Sequence, residues 1–209
     1  MHPNPAFRTE SRDRNVAVAR DRGFGTLAVN GDPAPLLSHV PFLLSEDGAS
    51  AELHLVRSNP IVAACGESAG AVLSVQGPDG YVSPDWYGIA DQVPTWNYIA
   101  VHLRGRLERR PEAELRPMLD RLSAHFEARL TPKPPWRSAK MPQDTLARMM
   151  RMVVPFVLHV DSVDGTWKLS QNKPDDARLS AADAMGRTGI GSETAALAAM
   201  MTDGAGTRG

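Results

Sequence analysis

Between residues 96 and 107 apolar and polar side chains alternate one for one. Ile99, Val101 and Leu103 fall on one side, His102 and Arg104 on the other. A period of two marks a half-buried strand. The period then changes. Leu115, Met118, Leu119, Leu122, Phe126 and Leu130 recur at spacings of three and four, which places them on one face of an amphipathic helix. Pro117 fits that helix in its first turn or kinks it. Pro132, Pro134 and Pro135 end it.

Upstream, the apolar face of Val16 to Ala19 predicts one helix, capped by Thr9 or Ser11 and stopped by Gly23. Short strand signals follow at 24–29, 36–44, 51–56 and 71–76. Asn30-Gly31, Glu46-Asp47-Gly48 and Gly77-Pro78-Asp79-Gly80 read as the turns between them. Pro41 cannot donate to a ladder, so its strand is expected to lie at an edge or to bulge there. Asn59-Pro60 opens a short helix through Cys65. A second helix is expected at 145–152 and a last long strand at 156–163, turned by Asp164-Gly165. Two weaker helical patterns lie beyond Asp175, separated by residues 186–191, and the last six or so residues are expected to be disordered. Five or six strands at hairpin spacing, with helices gathered mostly after them, predict a small antiparallel barrel with peripheral helices. The expected organisation is a barrel domain over 1–174 and a helical tail over 175–209.

Composition narrows the function. The chain has 209 residues, 42% apolar and 22% charged, with a formal net charge of -1. That is an ordinary globular balance. It lacks the basic excess or stripe that phosphate neutralisation demands, and there is no helix-turn-helix pattern, so direct DNA binding is disfavoured. One cysteine, Cys65, excludes an internal disulfide. No apolar run is long enough to span a bilayer, and the N-terminal stretch has no signal-peptide core. The expected location is the cytoplasm. No histidine pair falls at i, i+4 and no metal or nucleophile-elbow motif is present.

Four segments carry polar residues that a plain barrel does not need. Ser38-His39-Val40-Pro41-Phe42 offers freed backbone donors beside a strand irregularity, or a simple kink with an exposed histidine. Arg57-Ser58-Asn59-Pro60 combines a guanidinium with a helix start, as a phosphate cradle does, or is a surface arginine before a turn. Trp96 and Asn97 offer a stacking wall and an amide to a flat heteroaromatic ring, or anchor a dimer contact. Residues 167–173 gather two cations, a hydroxyl and two amides, or form a solvated loop. His39, His54 and His102 are the candidate acid–base groups, although a histidine so placed is more often structural or on the surface.

Taken in order, further strings join these segments. They are Gly25-Thr26-Leu27-Ala28-Val29, Gln76-Gly77-Pro78, Tyr81-Val82-Ser83-Pro84-Asp85-Trp86-Tyr87, Val93-Pro94-Thr95-Trp96-Asn97-Tyr98 and Trp167-Lys168-Leu169-Ser170-Gln171-Asn172-Lys173-Pro174. The series resembles the PaiB-type family of FMN-binding negative transcriptional regulators. That family belongs to the FMN-binding split-barrel superfamily with the pyridoxamine-phosphate oxidases. The resemblance implies a six-stranded antiparallel split β-barrel that forms a homodimer with FMN at the subunit interface. It places Ser38, His39 and Val40 along the isoalloxazine edge and Arg57, Ser58 and Asn59 near the phosphate. Trp96, Asn97, Lys168, Gln171 and Lys173 complete the site, some from the partner chain. Three functions are compatible with it: an FMN-dependent oxidoreductase of a small molecule, a flavin- or redox-responsive regulator without turnover, and a barrel that binds haem or another flat ligand.

Overall fold

The structure, a computed structural model, describes residues 1–203. The closing residues expected to be disordered lie outside that range. Ser11 accepts a hydrogen bond at its Oγ from the Arg14 amide (3.2 Å) and opens helix α1, Arg12–Arg22. Six strands follow: β1 (Phe24–Val29), β2 (Leu36–Leu44), β3 (Ser50–Val56), β4 (Ser68–Val82), β5 (Thr95–Arg109) and β6 (Val153–Lys168). They are ordered β1-β2-β3-β6-β5-β4, and β4 pairs back onto β1 to close the antiparallel barrel. A two-residue strand, β7 (Gly191–Ser192), adds to the edge of β4. The helices are α2 (Pro60–Cys65), α3 (Leu115–Glu127), α4 (Gln143–Met150), α5 (Asp175–Thr188) and α6 (Thr194–Asp203).

The chain forms two compact units. One comprises Val16–Val75 and His102–Val163; the other comprises Met1–Asn15, Gln76–Val101 and the described residues from Asp164 on. In the first, the period-two residues Leu27, Phe42, Leu53, Leu73, Leu103 and Phe156 are all buried and supply the apolar interior. Helix α3 buries Leu115, Met118 and Leu122. Pro117 lies in its first turn, where a missing N–H costs nothing. In the second unit Ile99, Val101 and Trp167 are buried, and α5 and α6 pack together through Ala181, Ala182, Met185, Leu197 and Met201. Arg178 is buried within that pair. It donates to the Met201 carbonyl and to Asp175 Oδ1 (3.0 Å).

Three local expectations need correction. Asn30-Gly31 does not form a two-residue hairpin turn: residues 30–35 make the connection, which includes a cis Asp32-Pro33 bond. Gly77-Pro78-Asp79-Gly80 is not a turn but the middle of β4, and Asp164-Gly165 is likewise inside β6. Glycine there serves close approach. A Cβ on Gly77 would come 2.9 Å from the Cβ of Ile99, and one on Gly165 would overlap the Asn15 amide. The expectation for Pro41 holds in its edge form, without a bulge. Pro41 sits where β2 finishes its ladder with β1 (Phe24↔Pro41) and begins its ladder with β3 (Phe42↔Leu53), so no ladder donor is missed.

Candidate functional site

The expected site residues fall in both units. In the unit that begins with Met1, β5 and β6 bring Thr95, Asn97 and Lys168 to one pocket with the turn that follows β6. Strand alternation sets the directions. Trp167 points inward, 2% exposed, donating from Nε1 to Asn15 Oδ1 (2.8 Å) under the Arg14 guanidinium, 4.3 Å from the ring. Lys168 therefore takes the other face and lines a cavity of about 210 Å3 with Asn4, Phe7, Tyr87, Val93, Ser170, Asn172 and Lys173.

Ser170 organises the floor. It is 3% exposed and has φ of 61°, a left-handed conformation that a side chain adopts only at a cost of roughly 1–2 kcal/mol. Its Oγ accepts from Asn97 Nδ2 at 2.8 Å and shares a hydrogen with the Tyr87 hydroxyl at 2.8 Å. The second Asn97 N–H reaches Met201 Sδ at 3.4 Å. Asn97 is fully buried, and its Oδ1 has no hydrogen-bond partner. An acceptor left this way costs about 1–3 kcal/mol until a donor arrives. Burial raises the Tyr87 phenol above its ordinary pKa, partly countered by the Ser170 bond. The ring therefore stays protonated and offers a hydroxyl.

Two ammonium groups stand in the same pocket. Lys168 donates to Thr95 Oγ1 and Lys173 donates to Gln92 Oε1, both neutral partners. Burial, and then the charge of Lys173, lower the Lys168 pKa below that of an ordinary lysine. No acidic side chain lines the cavity among the described residues. Two cations without a counter-ion, an unfilled amide acceptor and apolar walls at Phe7 and Val93 suit an anionic, flat, N–H-bearing ligand. FMN has that chemistry, so the residues present fit it. The cavity is smaller than the ~300–1,000 Å3 that usually encloses a whole ligand of that size, so it takes one end of it.

The other expected residues are placed differently. Trp96, next to Asn97 but on the opposite face of β5, is 46% exposed and stands edge-on to Tyr81 (6.4 Å) rather than lining the cavity. Gln171 ties down its own turn. Its Oε1 accepts from the Leu169 amide (2.8 Å), and its Nε2 donates to the Trp167 and Ala6 carbonyls (2.6 and 3.1 Å).

In the unit that contains β2 and β3, Ser38 and Asn59 meet. Asn59 Nδ2 donates to Ser38 Oγ at 3.0 Å, while its Oδ1 caps α2 at Ile61 N (2.9 Å). Val40 is buried in the barrel interior, and His39 is exposed on the opposite face of β2, 6.5 Å from Phe24. Ser58 is exposed. Arg57 is engaged with protein. It donates to the Arg151 carbonyl (2.9 Å) and pairs with Glu112 at 2.8 Å.

Sequence reasoning singles out Asn97, Lys168 and Lys173 for this pocket but not Phe7, Tyr87 or Val93. Tyr87 belongs to the resemblance strings, yet nothing in the sequence joins it to Ser170. Phe7 sits in a polar N-terminal stretch, where only the fold reveals its neighbours.

Comparison with known proteins supplies the family. The family described as "Putative FMN-binding domain" matches residues 1–162. Protease synthase and sporulation protein PAI 2 of Bacillus subtilis is 28% identical over 169 residues, covering 80% of each chain. Two solved structures share the fold. An FAD and heme binding protein from Mycobacterium smegmatis superposes with a TM-score of 0.59 at 21% identity, over 89% of this chain and 82% of its own. The flavocytochrome Anf3 from Azotobacter vinelandii gives 0.55 at 17% identity, over 80% and 72%. The chain belongs to the FMN-binding domain family, as a six-stranded split barrel of the PaiB type with FMN as its cofactor.

Proposed function

We propose that the chain is an FMN-dependent oxidoreductase acting on a small molecule, as a cytoplasmic homodimer. The observation that carries this reading is the pocket lined by Lys168, Lys173 and Asn97, whose buried Oδ1 has no partner, with no acidic residue in the lining among the described residues. When bound, FMN supplies hydride and single-electron transfer. The chain's own residues set the conditions. Lys168 and Lys173 hold positive charge where an electron-rich ring is to be accommodated. Phe7 and Val93 keep water from one wall, and the Tyr87 hydroxyl stays protonated beside Ser170.

Arg57, with Ser58 and Asn59, is assigned to the phosphate by family resemblance. Its pairing with exposed Glu112 is weak enough for a phosphate to displace. The homodimer is supported by an apolar strip on the outer face of β1 and β2. There Phe24 and Leu37 are 54% and 63% exposed, and the register puts them on the same side. A haem reading draws on the shared fold of the FAD and heme binding protein from Mycobacterium smegmatis. It has less support here, because the described lining offers no histidine, cysteine or methionine as an axial ligand. Regulation by direct DNA contact lacks the required charge, the net being -1.

The test is titration of apo-protein with FMN, followed by flavin fluorescence, then NAD(P)H oxidation with an added acceptor. Saturable quenching at one FMN per chain is expected, with turnover on reduction. Arg57→Ala is expected to weaken binding by about 1.5–3 kcal/mol. Absence of quenching ends the flavin reading. Unchanged affinity in the variant removes Arg57 from the phosphate.

A further inference from the structure

An asparagine amide can be held either way round, and its surroundings decide which end faces a ligand. At Asn97 both N–H groups are spent inside the protein, one on Ser170 Oγ (2.8 Å) and one on Met201 Sδ (3.4 Å). A thioether sulfur can only accept, so turning the amide over would set two acceptors against each other at Met201. At Ser170 a reversed amide would draw on the hydroxyl hydrogen and leave Tyr87 as the donor of the bond those two hydroxyls share. The carbonyl oxygen is thereby left as the free end, fully buried and without a partner, in a residue that lines the pocket. The left-handed backbone of Ser170 is the cost of placing its hydroxyl at this junction.

We propose that Ser170, with Met201, is a positioning residue. It fixes the Asn97 amide carbonyl-outward, so that the pocket selects a ring edge presenting an N–H donor, the imide edge of the isoalloxazine. The inference rests on the flavin reading above and adds to it the group on which selection acts. The same pocket supplies donors for the acceptors that flank such an N–H, the ammonium groups of Lys168 and Lys173. A flat ligand that carries a methyl in place of that hydrogen leaves the Asn97 oxygen unfilled and meets a fixed acceptor with an apolar group. Sites built around a buried polar group reject analogues lacking its partner far more strongly than apolar pockets do.

The experiment compares FMN with N3-methyl-FMN, identical in phosphate and ribityl chain, in fluorescence titrations of the apo-protein. The native chain is expected to bind N3-methyl-FMN at least about tenfold more weakly. In Ser170→Gly, which keeps the left-handed backbone accessible while deleting the hydroxyl, that ratio is expected to fall severalfold. Met201→Leu, which retains volume, is expected to lower it in the same direction. Loss of packing alone would weaken both flavins together and leave the ratio unchanged.

Equal affinity of the native chain for the two flavins overturns the proposal. So does a ratio that survives both substitutions, since the discrimination is then steric. If neither flavin binds, the flavin reading fails and this inference falls with it. If FMN binds without discrimination, only the inference falls.

Discussion

Lys168 is pulled two ways by its surroundings, and both favour losing the proton. Burial removes water from the ammonium, and Lys173 adds a like charge nearby. An anionic ligand reverses that balance by supplying the missing counter-charge, so binding raises the Lys168 pKa. The sign of the pH dependence follows from this linkage. Affinity for FMN is level while the free protein keeps Lys168 charged, and it falls as pH rises through the lowered pKa, because binding must then recapture a proton. Tyr87, whose pKa is shifted upward, does not contribute to the early part of that fall. Titrations from neutral pH upward are expected to show the decline in the native chain. In Lys168→Met they should show weaker neutral binding and a shallower slope. A native affinity that stays level as pH rises would separate Lys168 from the ligand.

At the scale of elements, the strands and helices are largely legible because periodicity reports burial directly. Ile99, Val101 and Leu103 are fully buried, as their alternation requires, and α2 begins at Pro60 behind Asn59 as the Asn-Pro pair predicts. Two of the errors share one cause. Glycine marks both a turn and a place where something packs against bare backbone, and local sequence does not say which. Gly77 and Gly165 carry turn signals, while each lies within a long strand because Ile99 and Asn15 occupy the space a side chain would fill. The site is legible only in part for a related reason. Lys168 and Asn97 belong to recognisable strings, whereas the bonds that make a pocket of them join residues 73 positions apart or more. Gly165→Ala gives a direct check. The added methyl displaces Asn15, which is 3% exposed, from its bond to Trp167 Nε1, on the strand that carries Lys168. A loss of roughly 1–3 kcal/mol in urea unfolding is expected, along with weaker FMN binding. Wild-type stability would mean that Asn15 yields without cost.

For the whole molecule, the proposed dimer concerns the outer face of β1 and β2. Phe24↔Pro41 and Ala28↔Leu37 place four apolar residues in one strip, with His39 among them. A strip of that kind is stabilised when covered, at about 25 cal/mol per Å2 of apolar surface removed from water. The double substitution Phe24→Asp, Leu37→Asp puts charge on that strip without touching the barrel interior. It is expected to turn a dimer into a monomer by size-exclusion chromatography with light scattering. Retention of the dimer would place the interface elsewhere. Among the described residues no helix is long and apolar enough to cross a membrane.

The pairing of the first fifteen residues with the chain beyond Asp164 has a temporal consequence. The His2 amide bonds to Thr166, the Ala6 carbonyl accepts from Gln171, and Asn15 accepts from Trp167. A ribosome makes the earlier partner of each pair first and the later one last, at about 5–20 residues per second. For roughly ten to thirty seconds the N-terminal segment has been synthesised but lacks its partners. Phe7, buried in the finished protein, is then an unclaimed apolar side chain of the nascent chain. The pocket it helps to wall cannot exist on the ribosome until synthesis has passed Lys173. Cofactor capture is therefore a late event in synthesis, and a chain that stalls before that point has no such pocket to fill.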